Sequence, residues 1–186
     1  KNKKENSMDL KLYLCLIVLE KESLTNLPKY SIDFLDKYSS DYLCIIPTLS
    51  ENDYFGIKSN FENFLIDINF SIPSKDEARL FLLQTYINYI LDESLEPIEL
   101  LTFIRNNILL DSDWHNISLK YTYDYINFEV LYGLYWSYFD TLDYFERKPD
   151  EISNQDLQIE KILHNIFDEC RSFMNNFDEL KNAKNC

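Results

Sequence analysis

Glycine is almost missing from this 186-residue chain, which contains only Gly56 and Gly133. Phosphate-cradling loops, dinucleotide fingerprints and nucleophile elbows all need glycine at fixed spacings, so these two residues cannot form any of them. Histidine is equally scarce, since the chain has only His115 and His164. Its four cysteines include no CxxC pair, and a zinc site needs ligands at closer spacing. We therefore expect no enzyme activity, no cofactor and no metal.

Positive charge is also in short supply. The chain has 18 basic and 32 acidic residues, a net charge of -14. A nucleic-acid-binding domain needs a basic face that replaces counterions, and anionic lipid also attracts basic surfaces. The composition therefore argues against direct binding to nucleic acid or to a membrane. The apolar residues near Cys15 and Cys44 (Leu14 and Leu16, Ile45 and Ile46) favour buried, reduced thiols, which predicts a cytoplasmic protein.

A long hydrophobic run is the next absent feature. Leu12 to Leu19 is apolar but covers only eight residues, whereas a transmembrane helix needs about 20. Charged residues follow the run where a signal peptide has small cleavage residues, so we expect a buried element there. We interpret residues 1–9 as a flexible N-terminal arm or as vector-derived residues. Met8 is a candidate natural start, with vector-derived or upstream residues before it. Residues 10–181 are predicted to form a single helical domain, and 182–186 a frayed tail.

Helix starts are the clearest local patterns. Ser74 and Glu77 form a capping box, which predicts a helix that begins near Lys75 and runs to about residue 91. Proline is tolerated in the first turn of a helix, so Glu96-Pro97 predicts the start of another. Further starts are predicted at Pro28, at Ser50 with Asp53, and at Ser153 with Asp156. The predicted fold is an all-α, single-domain bundle of about six to eight helices.

Residues 117–145 carry two different patterns. Apolar and aromatic residues alternate from Ile117 to Tyr125, a period of two that is typical of a strand. From Phe128 to Phe139 the spacing becomes helical. We predict a helix over about 121–146 after a loop at 112–120, and a short strand at 117–125 is the alternative.

Acidic and aromatic residues coincide in one segment. Residues 88–146 hold 11 acidic and 2 basic residues, a local net charge of -9. The same segment holds 14 aromatic residues, too many for a helix to bury on one stripe, so some tyrosines are expected at the surface. Exposed tyrosine and tryptophan are typical of binding hot spots, and acidic charge attracts a basic partner. The simpler interpretation is a solvated acidic face that serves solubility.

The middle of the chain, roughly 47–115, resembles a family of small helical bacterial proteins associated with toxin immunity. The resemblance lies in Ser50-Glu51-Asn52-Asp53, in Pro73-Ser74-Lys75-Asp76-Glu77-Ala78, and in Ile90-Leu91-Asp92-Glu93-Ser94-Leu95-Glu96-Pro97. It implies an immunity protein of a contact-dependent or polymorphic toxin system, which binds and blocks a cognate toxin domain, often a nuclease. A nuclease needs a basic groove, and an acidic aromatic surface suits that groove.

The predicted toxin-binding residues are the acidic and aromatic residues around the start and along the length of the helix at 121–146. They are Asp111, Asp113, Trp114, Asp124, Glu129, Tyr132, Asp140, Asp143 and Tyr144. One alternative function is a helical adaptor or regulatory subunit without a toxin partner. Another is a carboxylate-dependent hydrolase, which needs a cleft with two carboxyl groups whose pKa values are pushed apart. The sequence does not indicate an oligomeric state.

Overall fold

A computed structural model describes residues 8–117, 119–148 and 154–183, with side chains described up to residue 177. Eight α-helices lie in these ranges: α1 Leu10–Val18, α2 Leu27–Leu35, α3 Asp41–Ile45, α4 Tyr54–Asp67, α5 Lys75–Leu91, α6 Pro97–Ile104, α7 Glu129–Arg147 and α8 Gln155–Ala183. Short 3-10 turns occupy 24–26, 46–48, 113–115 and 124–126, and a π-helical turn, Arg105–Leu109, follows α6 directly. The same ranges contain no strand, which confirms the predicted all-α class.

Contacts divide the chain into two compact units, Lys1–Leu82 and Leu83–Cys186, with the boundary inside α5. The single domain over residues 10–181 therefore stays a prediction. In the first unit, Tyr13 of α1 is fully buried and its ring lies 5.9 Å from that of Phe34 and 6.4 Å from that of Phe61. The Tyr13 hydroxyl donates a hydrogen bond to the Ser23 carbonyl at 2.9 Å. This aromatic contact set joins α1, α2 and α4 around one apolar core.

The second unit is built around α7 and α8. Phe128, just before α7, packs edge-on against Phe173 of α8 with ring centroids 5.8 Å apart. Leu131, Tyr135 and Phe145 form the buried stripe of α7. Tyr135 also connects α7 to α6, because its hydroxyl lies 3.3 Å from the Thr102 hydroxyl. The outer side of α7 is thereby left to solvent.

Two side-chain caps and one proline explain where three helices begin. The Ser74 hydroxyl accepts the Glu77 N–H at 3.3 Å, and the Glu77 carboxylate accepts the Ser74 N–H at 2.7 Å. The predicted capping box is confirmed, and α5 begins at Lys75. Asp53 caps α4 by accepting the Gly56 N–H at 2.9 Å, where a Cβ on residue 56 would collide with the carboxylate. The start of α6 at Pro97 also agrees with the prediction.

Three helices end in the same way without glycine. After α1, the N–H groups of Glu20 and Lys21 donate to the carbonyls of Ile17 and Leu16, which is the double hydrogen bond of a Schellman motif. Matching pairs of bonds close α4 and α5. The residue in the left-handed conformation is Glu20, Asn69 or Glu93, with φ of 58°, 51° and 52° respectively. Each of these helices therefore ends in a backbone conformation that glycine adopts most readily, although the residue at that position carries a side chain.

The predicted helix over 121–146 begins too early. α7 starts at Glu129, and residues 121–128 form turns with Tyr123 and Asn127 in the left-handed region at φ 67° and 55°. Two left-handed residues so close together stop a right-handed helix from extending toward the N-terminus. The alternative strand is absent too, since 117 and 119–125 contain only turns and bends.

Predicted boundaries at the two ends of the chain also change. The Met8 N–H donates to the Asp33 carboxylate at 2.8 Å, and Asp9 caps α1 by accepting the Lys11 N–H at 2.9 Å. Residues 8 and 9 therefore belong to the fold and not to an arm, while 1–7 lie outside the described residues. At the other end 182 and 183 are helical. The rest of the predicted tail, and the predicted cap Ser153, lie outside the described residues.

Candidate protein-binding site

Acidic charge is concentrated in the second unit. Residues 83–186 include 8 basic and 19 acidic residues, a net charge of -11. Residues 1–82 include 10 basic and 13 acidic residues, a net charge of -3. A field of one sign over one unit steers oppositely charged partners toward it. The second unit is therefore the place to look for a binding surface.

The exposed side of α7 combines aromatic and acidic side chains. Trp136, Phe139 and Tyr144 expose 40%, 37% and 41% of their surfaces, and Asp140 and Asp143 are exposed between them. We call these five residues the α7 surface. Aromatic rings give large contact area at low entropic cost, and partly exposed rings are available to a partner.

A cation from a neighbouring element contacts the Trp136 ring. The Arg105 guanidinium lies 5.2 Å from the ring centroid, and its Nη1 donates to the Asn106 side chain at 2.7 Å. Tyr132 packs edge-on against the same ring at 6.2 Å. Arg105 is the first residue of the π-helical turn, and such wide turns are frequent at functional sites. These contacts hold Trp136 in one orientation while leaving part of its ring exposed.

The structure places the nine predicted binding residues in different environments. Exposed side chains are Asp111, Asp113, Asp140, Asp143 and Tyr144; partly buried ones are Asp124, Glu129 and Tyr132; Trp114 is buried. Asp140, Asp143 and Tyr144 come together on the α7 surface. Asp143 forms an ion pair with Arg147 one turn later. Tyr132 contacts Tyr123 and Trp136 through ring edges, so it supports the α7 surface from the side.

Trp114 is the clearest correction to the predicted site. Only 3% of its surface is exposed, so its ring offers no contact area to a partner. The Ser112 hydroxyl caps the short 3-10 turn by accepting the Trp114 N–H at 3.4 Å. Trp114 therefore belongs to the core of the second unit.

The Asp124 carboxylate binds backbone groups of its own loop and is not free to contact a partner. It accepts backbone N–H groups from Leu119, Lys120 and Tyr121 at 2.8, 2.6 and 2.9 Å. These bonds to the charged form hold the pKa of Asp124 below its usual value. The carboxylate closes the loop that precedes α7, which is a different role from the predicted toxin contact.

Glu129 is only partly exposed, and it interacts with α8. One of its carboxylate oxygens is buried and makes no hydrogen bond to the described residues. Burial, and then the negative charge of Glu129, raise the pKa of Glu169 on α8. The predicted outward role of Glu129 is therefore not supported by its position at the α7–α8 contact.

Two exposed residues, Trp136 and Phe139, were missing from the predicted site. The spacing of Trp136 carried a usable signal, because a helix that buries Leu131, Tyr135 and Phe145 turns Trp136 toward solvent. Phe139 carried no such signal, because it lies four residues after Tyr135, beside the buried stripe.

A shallow groove runs along the α7 surface. Ser137, Asp140, Thr141 and Tyr144 of α7 line it together with Gln158 of α8, and its volume is about 380 Å³. The α7 members are spaced i, i+3, i+4 and i+7, so they share one face of the helix. Asp140 is the carboxylate in this lining.

Chemistry-bearing side chains elsewhere are dispersed. In the described ranges no group of three histidine, cysteine or acidic side chains is arranged to hold a metal ion. His164 lies 3.3 Å from Asp168 on the exposed side of α8, one turn apart. Burial raises the pKa of Cys15 to about 11 and that of Cys170 to about 12. Cys44 is exposed, so the prediction of a buried thiol is wrong there, and Cys186 lies outside the described residues.

Comparison with known proteins assigns no family. No family model matches the chain, no curated protein matches it, and no solved structure matches it. Among the described helices, none is both long and apolar enough to cross a bilayer.

Proposed function

We propose that this protein is an immunity protein that binds and neutralises a basic bacterial toxin domain, such as a nuclease. The observation that carries the proposal is the α7 surface, where Asp140 and Asp143 lie among exposed aromatic rings in a unit of net charge -11. The resemblance of residues 47–115 to small helical immunity proteins supports the same function.

The proposed mechanism is inhibition by occupation. The acidic unit attracts the basic substrate groove of the toxin, and long-range attraction raises the rate of encounter. Trp136, Phe139 and Tyr144 then supply apolar contact area that slows dissociation. No bond is made or broken, and the substrate is excluded because its groove is occupied. Charges that mismatch with other toxins supply specificity.

Co-production with the product of the neighbouring gene tests this function. We expect the two proteins to purify together and the cells to survive production of the toxin. The association rate should fall steeply between 0.1 M and 1 M salt, because the Debye length shrinks from about 10 Å to about 3 Å. Dissociation should change less, because it depends on the buried aromatic contacts.

Charge reversal on α7 tests the surface itself. Asp140→Lys with Asp143→Lys should slow association and weaken protection of the cells. The matched control is Glu51→Lys with Asp67→Lys, which changes the net charge equally at exposed positions of the first unit. Circular dichroism establishes that both variants fold. If both variants protect equally well, the acidic α7 surface serves solubility alone.

A helical adaptor without a toxin partner is the second function that this surface suits, because aromatic and acidic residues also serve other basic proteins. The neighbouring gene distinguishes the two. A toxin reading frame beside this gene supports immunity, and a partner without toxicity supports the adaptor.

A further inference from the structure

We propose that the groove lined by Ser137, Asp140, Thr141, Tyr144 and Gln158 binds one lysine or arginine side chain of the protein partner. This inference rests on the proposed function, since it names the group on the toxin that the α7 surface recognises.

Three of the four α7 side chains in the groove, Ser137, Asp140 and Thr141, offer only acceptors to a ligand. The Ser137 hydroxyl donates to the Gly133 carbonyl at 2.9 Å, and the Thr141 hydroxyl donates to the Ser137 carbonyl at 2.7 Å. A hydroxyl has a single proton, so both oxygens keep only their lone pairs for a ligand. The Asp140 carboxylate accepts hydrogen bonds and donates none. Lysine and arginine side chains, which are donors alone, complement this set.

Tyr144 adds an aromatic face to the same groove. Its ring already attracts a cation, since the Lys148 ammonium lies 5.0 Å from the ring centroid and 3.3 Å from the hydroxyl. Cations over tyrosine rings are stabilised by the negative face of the ring. A ring beside a carboxylate suits arginine in particular, because its planar guanidinium can stack and hydrogen-bond at once.

Charge explains why the occupant is a cation. Asp140 takes part in no ion pair within the described part of the chain, whereas Asp143, three residues away, pairs with Arg147. The surrounding unit carries a net charge of -11, so a positive group is attracted and a negative one repelled. Of the two exposed aspartates on α7, Asp140 is the one left for a partner.

The shape of the groove explains why a protein delivers the cation. A groove of about 380 Å³ is near the lower end for small-molecule pockets, which usually enclose their ligands among apolar walls. This groove is shallow and open to solvent, so it cannot enclose a free small molecule. A side chain held by a partner needs only its charged tip covered, because the surrounding interface excludes water.

Binding of a tetra-arginine peptide tests the groove without a toxin, and tetra-citrulline is the neutral control. In nuclear magnetic resonance spectra at low salt, tetra-arginine should shift the amide signals of the groove residues and tetra-citrulline should not. Asp140→Asn should weaken the peptide about fivefold, which is the upper range for a partly exposed ion pair. Glu146→Gln is the matched control, because it removes the same charge from an exposed position of the same helix, outside the groove and outside the α7 surface, and it should change affinity less than twofold.

Tyr144 gives a second, independent comparison. Tyr144→Phe keeps the ring and should bind the peptide nearly as wild type, whereas Tyr144→Leu should weaken it about threefold. Equal losses in Asp140→Asn and Glu146→Gln would mean that attraction is diffuse, which overturns the inference. The absence of shifts at the groove residues would overturn it as well.

Binding measurements with the cognate toxin distinguish this inference from the proposed function. If a cognate toxin binds Asp140→Asn as tightly as wild type, the immunity function stands and the groove inference fails. If the peptide binds through Asp140 but the neighbouring gene product does not bind, the groove inference stands and the immunity function fails.

Discussion

The two tryptophans should report separately on the core and on the α7 surface. Trp114 is 3% exposed and Trp136 is 40% exposed, and the chain contains no other tryptophan. Trp114→Phe leaves Trp136 as the sole reporter, and Trp136→Phe leaves Trp114. Acrylamide is uncharged, so the acidic surface does not repel it and quenching follows the accessible area of each ring.

The exposed fractions of the two tryptophan rings set the expected difference between their quenching constants. The ratio of the two exposures is about tenfold, so the quenching constant should be about tenfold larger for Trp136 than for Trp114. Adding a saturating partner should lower the Trp136 constant toward that of Trp114, because hot-spot rings are fully desolvated in an interface. Trp136→Ala should then speed dissociation about 30-fold, which corresponds to roughly 2 kcal/mol.

The substitution of Trp114 by alanine serves as the contrasting variant. Losing a buried tryptophan costs about 3 to 5 kcal/mol. In a chain of this size that is a fall in melting temperature of roughly 6 to 20 °C. Equal quenching of the two single-tryptophan proteins would contradict the assigned burial. If Trp136 stays fully quenchable in the complex, it is not a contact residue.

Three further outcomes are expected. Ser74→Ala should lower the free energy of unfolding by about 1 kcal/mol and the melting temperature by roughly 2 to 4 °C; an unchanged thermal melt would mean that the capping box contributes nothing. The pKa of Asp124 is lower in the folded protein than its usual value of 3.8, so its charged carboxylate stabilises the fold fully above pH 3.8, and this stabilisation is lost as the pH falls through the folded pKa. The free energy of urea unfolding of Asp124→Asn should therefore differ from that of wild type at neutral pH and converge with it in acid. A difference that does not depend on pH would show that the charge of Asp124 is not its cause. In a Cys186→Ser background one thiol, Cys44, should react with a thiol reagent in the native protein; rapid reaction of three would contradict the burial of Cys15 and Cys170.

Helix starts were predictable because their causes are local. The capping box, the Asp53 cap and the proline before α6 each act within four residues, so the sequence alone predicts them. The start of α7 was not predictable in that way. It depends on left-handed conformations at Tyr123 and Asn127 and on Asp124, whose carboxylate binds three upstream N–H groups. The alternation over 117–125 departs from helical spacing, but it favours a strand and does not indicate a left-handed turn.

The binding surface was predicted in part for a similar reason. Charged residues such as Asp140 and Asp143 are almost always exposed, so composition locates them well. Tryptophan is ambiguous, since its large ring is suited to a core and to an interface alike. Tertiary packing decided that Trp114 is buried and that Trp136 is exposed, and no local pattern around Trp114 contained that information.

The glycine-free helix ends give the protein room to evolve. A left-handed residue other than glycine costs about 1 to 2 kcal/mol. Glycine relieves that cost but loses more backbone entropy on folding, so changing Glu20 or Glu93 to glycine should gain on the order of 0.5 to 1 kcal/mol each. Asn69 should gain less, because asparagine adopts the left-handed conformation more readily than glutamate. All three positions lie outside the α7 surface. Such gains offset destabilising substitutions elsewhere, so a lineage that acquires them could alter its α7 surface to follow a changing partner and still remain folded.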